Sequence, residues 1–238
     1  MNRRTSLVAA VLSGLMAASG LAEDNGVIKG KVIFKGDAEK YKRQVLDTTK
    51  DPNCAKAKEK IGDWKVVLNK KTDPVTVRNT LVYVKEGVAK KYPAPTEPVI
   101  LDQIGCEYHP NTFGLMAGQP LKVRNSDATN HNIHFLPKKN EEANFSQPKQ
   151  GMEKDVTLTA EAPFKVKCDV HPWMGAYIGV FEHPFFATTG DDGTFELKGL
   201  PPGKYVVEAW HGEFGAQTAT VEIASGETKS QDFTYEPK

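Results

Sequence analysis

The sequence has little cysteine, three residues in 238, and no surplus of either charge, with 31 basic side chains against 30 acidic ones. The charge balance removes the drive for binding a phosphate backbone, so no nucleic-acid partner is expected. Beyond the first segment no apolar run approaches the roughly 20 residues of a spanning helix, so no stable membrane insertion is expected there. Enzyme signatures are also missing: there is no HExxH, no GxSxG and no phosphate-binding loop. The expectation is a protein that is not an enzyme. Hydrophobic residues at 39% and charged residues at 26% exclude a disordered chain, and the length allows one large or two small domains.

What is present begins with Asn2-Arg3-Arg4, an apolar run from Leu7 to Met16 and small residues ending Gly20-Leu21-Ala22. This is the pattern of a signal peptide over 1–22, cut after Ala22, and it predicts export to the periplasm or cell envelope. No Cys stands at the cut to take a lipid. In an oxidising compartment an odd cysteine count predicts one disulfide and one thiol kept for another purpose. Cys168 stands among metal-ligand residue types, which leaves Cys54 and Cys106 as the predicted pair.

Short β-branched or aromatic runs bounded by Gly, Pro, Asn or Asp predict strands over 27–34, 75–84, 120–125, 155–159, 163–168, 176–181, 193–197, 204–210 and 217–223. The fold class is all-β. One helix is expected over 52–60, with Asp51 as cap, Pro52 in the first turn and Gly62 past the end. The polar, charge-alternating stretch 138–150 reads as a long exposed loop. Pro93, Pro95 and Pro98 mark a connector, and His183-Pro184 a second boundary.

The run Asp192-Gly193-Thr194-Phe195, followed by Leu200-Pro201-Pro202-Gly203-Lys204-Tyr205, resembles the DGxF and LPPGxY pattern of the carboxypeptidase regulatory-like domain, a small prealbumin-like β-sandwich. The stretch from Gly26 to Val32 looks like its first strand and that from Asn79 to Val84 like a later one. The resemblance implies a discontinuous sandwich from 23–92 and 184–238, with a second domain, 93–183, inserted. Two consecutive domains are the alternative.

The chemistry is concentrated in Cys168-Asp169-Val170-His171-Pro172-Trp173-Met174. A thiolate, an imidazole and a thioether three residues apart can converge on one ion from a single tight loop. Random placement in a chain of this composition would produce roughly 0.002 such matches. A second imidazole stands upstream in His131-Asn132-Ile133-His134-Phe135, from either His131 or His134. Two His, one Cys and a weak axial Met form the ligand set of blue-copper electron-transfer sites. The competing readings are a buried thiol for Cys168, core packing for Met174 and a polar strand position for His134. Pro172 and Trp173 read either as ordinary packing or as an apolar collar around an exposed His171 edge where a partner docks. His109, His183 and His211 read as surface residues.

Residues 99–181 resemble a cupredoxin of the amicyanin and plastocyanin kind, through the HNIHF string and the short Cys168, His171, Met174 loop with Pro after the His. The resemblance implies a cupredoxin Greek-key sandwich holding one type 1 copper through His131, Cys168, His171 and Met174. It makes Asn132 the residue that ties the ligand loops together near the Cys sulfur. The implied function is one-electron transfer with a redox protein such as a c-type cytochrome or a dehydrogenase. Alternatives are a trafficking protein that holds Cu(I) and an envelope interaction module with a cupredoxin fold. The stretch 138–150, Cys106 and the flanking sandwich depart from the family pattern.

Overall fold

The alternation of buried Ile28, Val32 and Phe34 with exposed Lys29 and Lys31 makes β1 (Gly26–Phe34) a strand with one face on a core. The computed structural model describes residues 25–56 and 60–237, and the expected signal segment lies outside them. After β1 come β2 (Leu68–Asn69), β3 (Thr76–Val77) and β4 (Leu81–Glu86). The middle of the chain forms β5 (Val99–Ile104), β6 (Glu107–His109), β7 (Thr112–Met116), β8 (Pro120–Asn125), β9 (His131–Leu136), β10 (Asn144–Gln147), β11 (Glu153–Thr157), β12 (Glu161–Lys167) and β13 (Gly175–Phe181). The last part forms β14 (Phe186–Thr188), β15 (Thr194–Leu200), β16 (Gly203–His211), β17 (Gly215–Ile223), β18 (Thr228–Ser230) and β19 (Phe233–Tyr235). The described chain is almost entirely β. Among the described residues no helix is long and apolar enough to cross a membrane.

The middle strands make two sheets, β10-β9-β12-β13-β7 and β11-β8-β5-β6, closed over a core that includes Leu101, Leu121, Ile133, Phe135, Val166 and Ile178. Strands from both ends of the chain share the other two sheets. One is β15-β1-β3-β2, with β18 and β19 running parallel to β1, and the other is β14-β4-β16-β17. Their core is separate and includes Ile28, Val82, Leu197, Val207 and Tyr235. Leu81, Tyr83 and Phe181 join the two sandwiches.

Three expectations need correction. The strand expected over 75–84 is two, β3 and β4, because Asn79 takes a left-handed φ of 60° that turns the chain from one sheet into the other. The loop expected over 138–150 contains β10, which pairs antiparallel with β9 and turns Gln147 inward. In place of a helix over 52–60 there is a 3-10 turn, Cys54–Lys56, with residues 57–59 outside those described. Cys54 is tied by a disulfide to Cys106, so the turn is anchored to the middle sandwich rather than extended along a helix axis.

The connection between β1 and β2 acts as a cap. It leaves the terminal sandwich and lies over one end of the middle one, pairing with itself through Leu46 N to Ile61 O and Asp63 N to Gln44 O, both 2.9 Å. Trp64 is 7% exposed and donates from Nε1 to the Trp173 carbonyl at 2.9 Å. Its ring lies directly on Gly175, where a Cβ would come within 2.0 Å of it. Gly175→Ala is expected to displace the cap and to cost about 1–3 kcal/mol of stability, as overpacked sites do. An unchanged denaturant midpoint would contradict this packing.

Candidate metal centre

His131 opens β9 on the same inward face as Ile133 and Phe135, which places its ring at the end of the middle core. The loop between β12 and β13 is closed by Cys168 N to Met174 O at 3.3 Å and Met174 N to His171 O at 2.9 Å. Inside it the His171 amide donates to Cys168 Sγ at 3.3 Å. The two segments meet with His131 Nδ1 3.0 Å from His171 Nδ1 and Cys168 Sγ 3.9 Å from His171 Nδ1. His131, Cys168, His171 and Met174 are all buried, at 0%, 3%, 2% and 2% exposure. Asn132 Oδ1 accepts from the Asp169 amide at 3.0 Å, so the side chain after His131 holds the loop after Cys168.

His134 points elsewhere. Its ring nitrogens bond Asp169 and Glu142 at 2.8 and 2.7 Å, on the outer side of β9. Of the remaining histidines only His109 is exposed; His211 is buried at 1%, and burial pushes its pKa down to about 4. His183 is half-buried and donates from Nε2 to the Val84 carbonyl. The expected exposed edge of His171 is also corrected. Its Nε2 is 3.0 Å from Asp51 Oδ2 and 3.7 Å from Cys54 Sγ, so the cap covers it. Pro172 is exposed, but Trp173 is half-buried against His171, with ring centroids 5.0 Å apart, and donates to the Cys106 carbonyl.

The sequence marks Asp51 only as a cap, which it is for the Cys54 turn, and gives Asp127 and Tyr108 no part in the site. Asp127 Oδ2 takes His131 Nε2 at 2.8 Å, as Asp51 takes that of His171. Tyr108 is fully buried and donates to the Asn132 carbonyl, and burial together with the Cys168 sulfur pushes its pKa up. Burial raises the Asp51 pKa, but hydrogen bonds from Thr129, the Cys54 amide and His171 take it down to about 2. At neutral pH both carboxylates are therefore acceptors, and each remote ring nitrogen is the donor. In a neutral imidazole this leaves Nδ1 as a bare lone pair.

Two lone pairs facing each other at 3.0 Å beside a sulfur need a cation between them. In the metal-free chain a proton can serve. Burial pulls the His131 pKa down, but Asp127 and Cys168 outweigh it and the net shift is upward. Burial likewise pushes the Cys168 thiol up, while hydrogen bonds from His131, His171 and the His171 and Asn132 amides bring it down to about 6. The same donor set, two imidazole nitrogens and a thiolate with ligand atoms within 4.8 Å of one another, fits a thiophilic metal ion. Two neighbouring groups, Asp51 with Cys54 and His171, and Cys106 with Asp127 and His131, do not fit. Their sulfurs are already joined in the disulfide.

Residues 171–236 match the carboxypeptidase regulatory-like domain. No curated protein matches the chain. Among solved structures, the Cu-containing nitrite reductase NirK from Thermus scotoductus SA-01 is similar at 22% identity, over 41% of this chain and 25% of that one, with a TM-score of 0.33. A reduced mutant of amicyanin is similar at 19% identity, over 49% of this chain and 98% of that one, with a TM-score of 0.32. The Cu(I) form of another amicyanin mutant is similar at 20% identity over 42% and 97%, with a TM-score of 0.32. The chain spans a quarter of the nitrite reductase's length. The case for a metal is carried by the donor geometry.

The folded Cys168 pKa lies below the ordinary thiol value of about 8.5. The thiolate therefore persists at neutral pH and is lost as pH falls through the folded value. Ultraviolet thiolate absorbance of the metal-free protein is expected to rise with a midpoint near pH 6 and to vanish in Cys168→Ser. A midpoint above pH 8 would contradict the charge arrangement at the site.

Proposed function

We propose that this chain is an exported type 1 copper protein that carries single electrons, with one copper held by His131, Cys168, His171 and Met174. The observation that carries the reading is the pair of buried Nδ1 atoms facing each other beside the Cys168 sulfur. Copper in this position supplies one-electron chemistry. The chain's own residues supply the surroundings. The Cys168 thiolate and two neutral imidazoles would suit both oxidation states of the ion, and Met174, buried in the same loop, would offer a second soft sulfur. Asp51 and Asp127 hold the remote ring nitrogens, so the imidazoles need not turn when the charge changes. Trp64, Trp173 and the disulfide exclude water from one side, and Tyr108 does so from within the core.

Were copper held by His131, Cys168, His171 and Met174, those four donors would leave no open position for a substrate, which supports a carrier rather than an enzyme. The partner in this reading is a one-electron protein such as a c-type cytochrome or a dehydrogenase.

One observation favours a second reading, in which the protein holds Cu(I) for delivery. A cleft of about 600 Å³ between the cap and the ligand loop is lined by Cys168 and Met174 together with Leu46, Trp64 and Trp173, so a route leads toward the ligand loop although both residues stay buried. Addition of Cu(II) separates the readings. The carrier predicts an intense thiolate-to-copper visible band from one equivalent of copper, absent in Cys168→Ser. A colourless protein that retains one Cu(I) would support delivery, and failure to hold stoichiometric copper would overturn both.

A further inference from the structure

We propose that the Cys54–Cys106 disulfide orients both imidazoles of the candidate centre, acting through Asp51 and Asp127. The inference rests on the copper reading for what the rings bind, but not for how they are held. The disulfide joins the cap to the middle sandwich across 52 positions of sequence. On the cap side, the amides of Asn53 and Cys54 donate to Asp51 Oδ1 at 2.7 and 3.2 Å. The other oxygen of that carboxylate takes His171 Nε2 at 3.0 Å and the Thr129 hydroxyl at 2.7 Å. On the sandwich side, the amides of Gly105 and Cys106 donate to Asp127 Oδ1 and Oδ2, both at 2.8 Å, and Oδ2 also takes His131 Nε2.

Each half of the disulfide thus holds by its own amide the carboxylate that holds one ring. The arrangement is built at a cost. Cys106 has a left-handed φ of 60°, following Gly105 at 65°, and this turn is what brings two consecutive amides onto Asp127. A non-glycine residue in that region persists only where its surroundings impose it. Here they do: Cys54 sulfur on one side, Trp173 bonded to the Cys106 carbonyl on the other, and a buried pocket shared with Ile61. Cys54 Sγ itself packs 3.7 Å from His171 Nε2. Without the covalent bond, Asp51 is tied to the centre only by hydrogen bonds to Thr129 and His171. The turn that carries Asp51 can then shift while Trp64 keeps the rest of the cap on Gly175, leaving His171 without its acceptor and free to rotate. Asp127 keeps Gly105 but loses the constraint that fixes the Cys106 turn.

A purely structural disulfide would alter stability without addressing individual rings, and this distinguishes the experiment. The full-length metal-free protein, labelled with ¹⁵N at histidine, is observed for slowly exchanging Nε2–H signals. Wild type is expected to show one for His131 and one for His171. Cys54→Ser/Cys106→Ser is expected to keep the β-sheet circular dichroism, lose both signals, and let Cys168 be alkylated at least about tenfold faster as local opening replaces burial. With the disulfide intact, Asp51→Leu, which has no acceptor, should remove only the His171 signal and Asp127→Leu only that of His131. A folded serine double variant that retains both signals overturns the proposal. If the double variant does not fold, the leucine variants decide, because retention of both signals in both of them breaks the route through the carboxylates. None of these readouts involves copper, so their failure and failure of the copper reading are separable results.

Discussion

The structure turns on the burial of one imidazole. His171 is 2% exposed, and a buried ring must find partners for both nitrogens. Asp51 provides one from the cap, and the other faces His131 and Cys168 in the middle sandwich. Three anionic groups, Asp51, Asp127 and the Cys168 thiolate, surround two imidazoles at this point. Buried charge of one sign is stable only when compensated. A proton between the two Nδ1 atoms, 3.0 Å apart, would offset part of it in the metal-free chain, and a metal cation would offset more. The charge at the centre therefore follows from the same packing that closes the cap.

That closure needs both sandwiches. The cap is a connection between β1 and β2, whose sheets belong to the terminal sandwich, while the surface it covers belongs to the middle one. Glycines make the close approach possible. Trp64 occupies the space over Gly175, Phe186 that over Gly114, and Leu81 that over Gly179. The terminal sandwich thus acts as a mount for the cap over the centre, and the cap covers the His171 edge.

Much of this was legible in the sequence where the signal is local. Pro120–Asn125 alternates outward and inward side chains with period two, and the strand has those bounds. Asp192-Gly193 is a turn because glycine there adopts a φ of 69°. The Cys168, His171, Met174 spacing draws attention because soft donors at such intervals are rare by chance. Other features carried no local signal. Asp51, Asp127 and Tyr108 are ordinary residue types whose importance comes from segments brought together by the tertiary fold. The same holds for the burial of His171, since nothing around Pro172 and Trp173 shows that a segment 120 positions earlier will cover the ring. Asn79 took a left-handed turn that a β-branched run did not announce, and β10 turns Gln147, a polar side chain, into the interior.

The most direct test of the account is the nearest-neighbour shell of copper in the protein loaded with one equivalent, measured by X-ray absorption. The account predicts two nitrogens and one short sulfur, the short sulfur disappearing in Cys168→Ser. A shell of nitrogen and oxygen alone, unchanged by that substitution, would place the metal elsewhere and contradict the assignment.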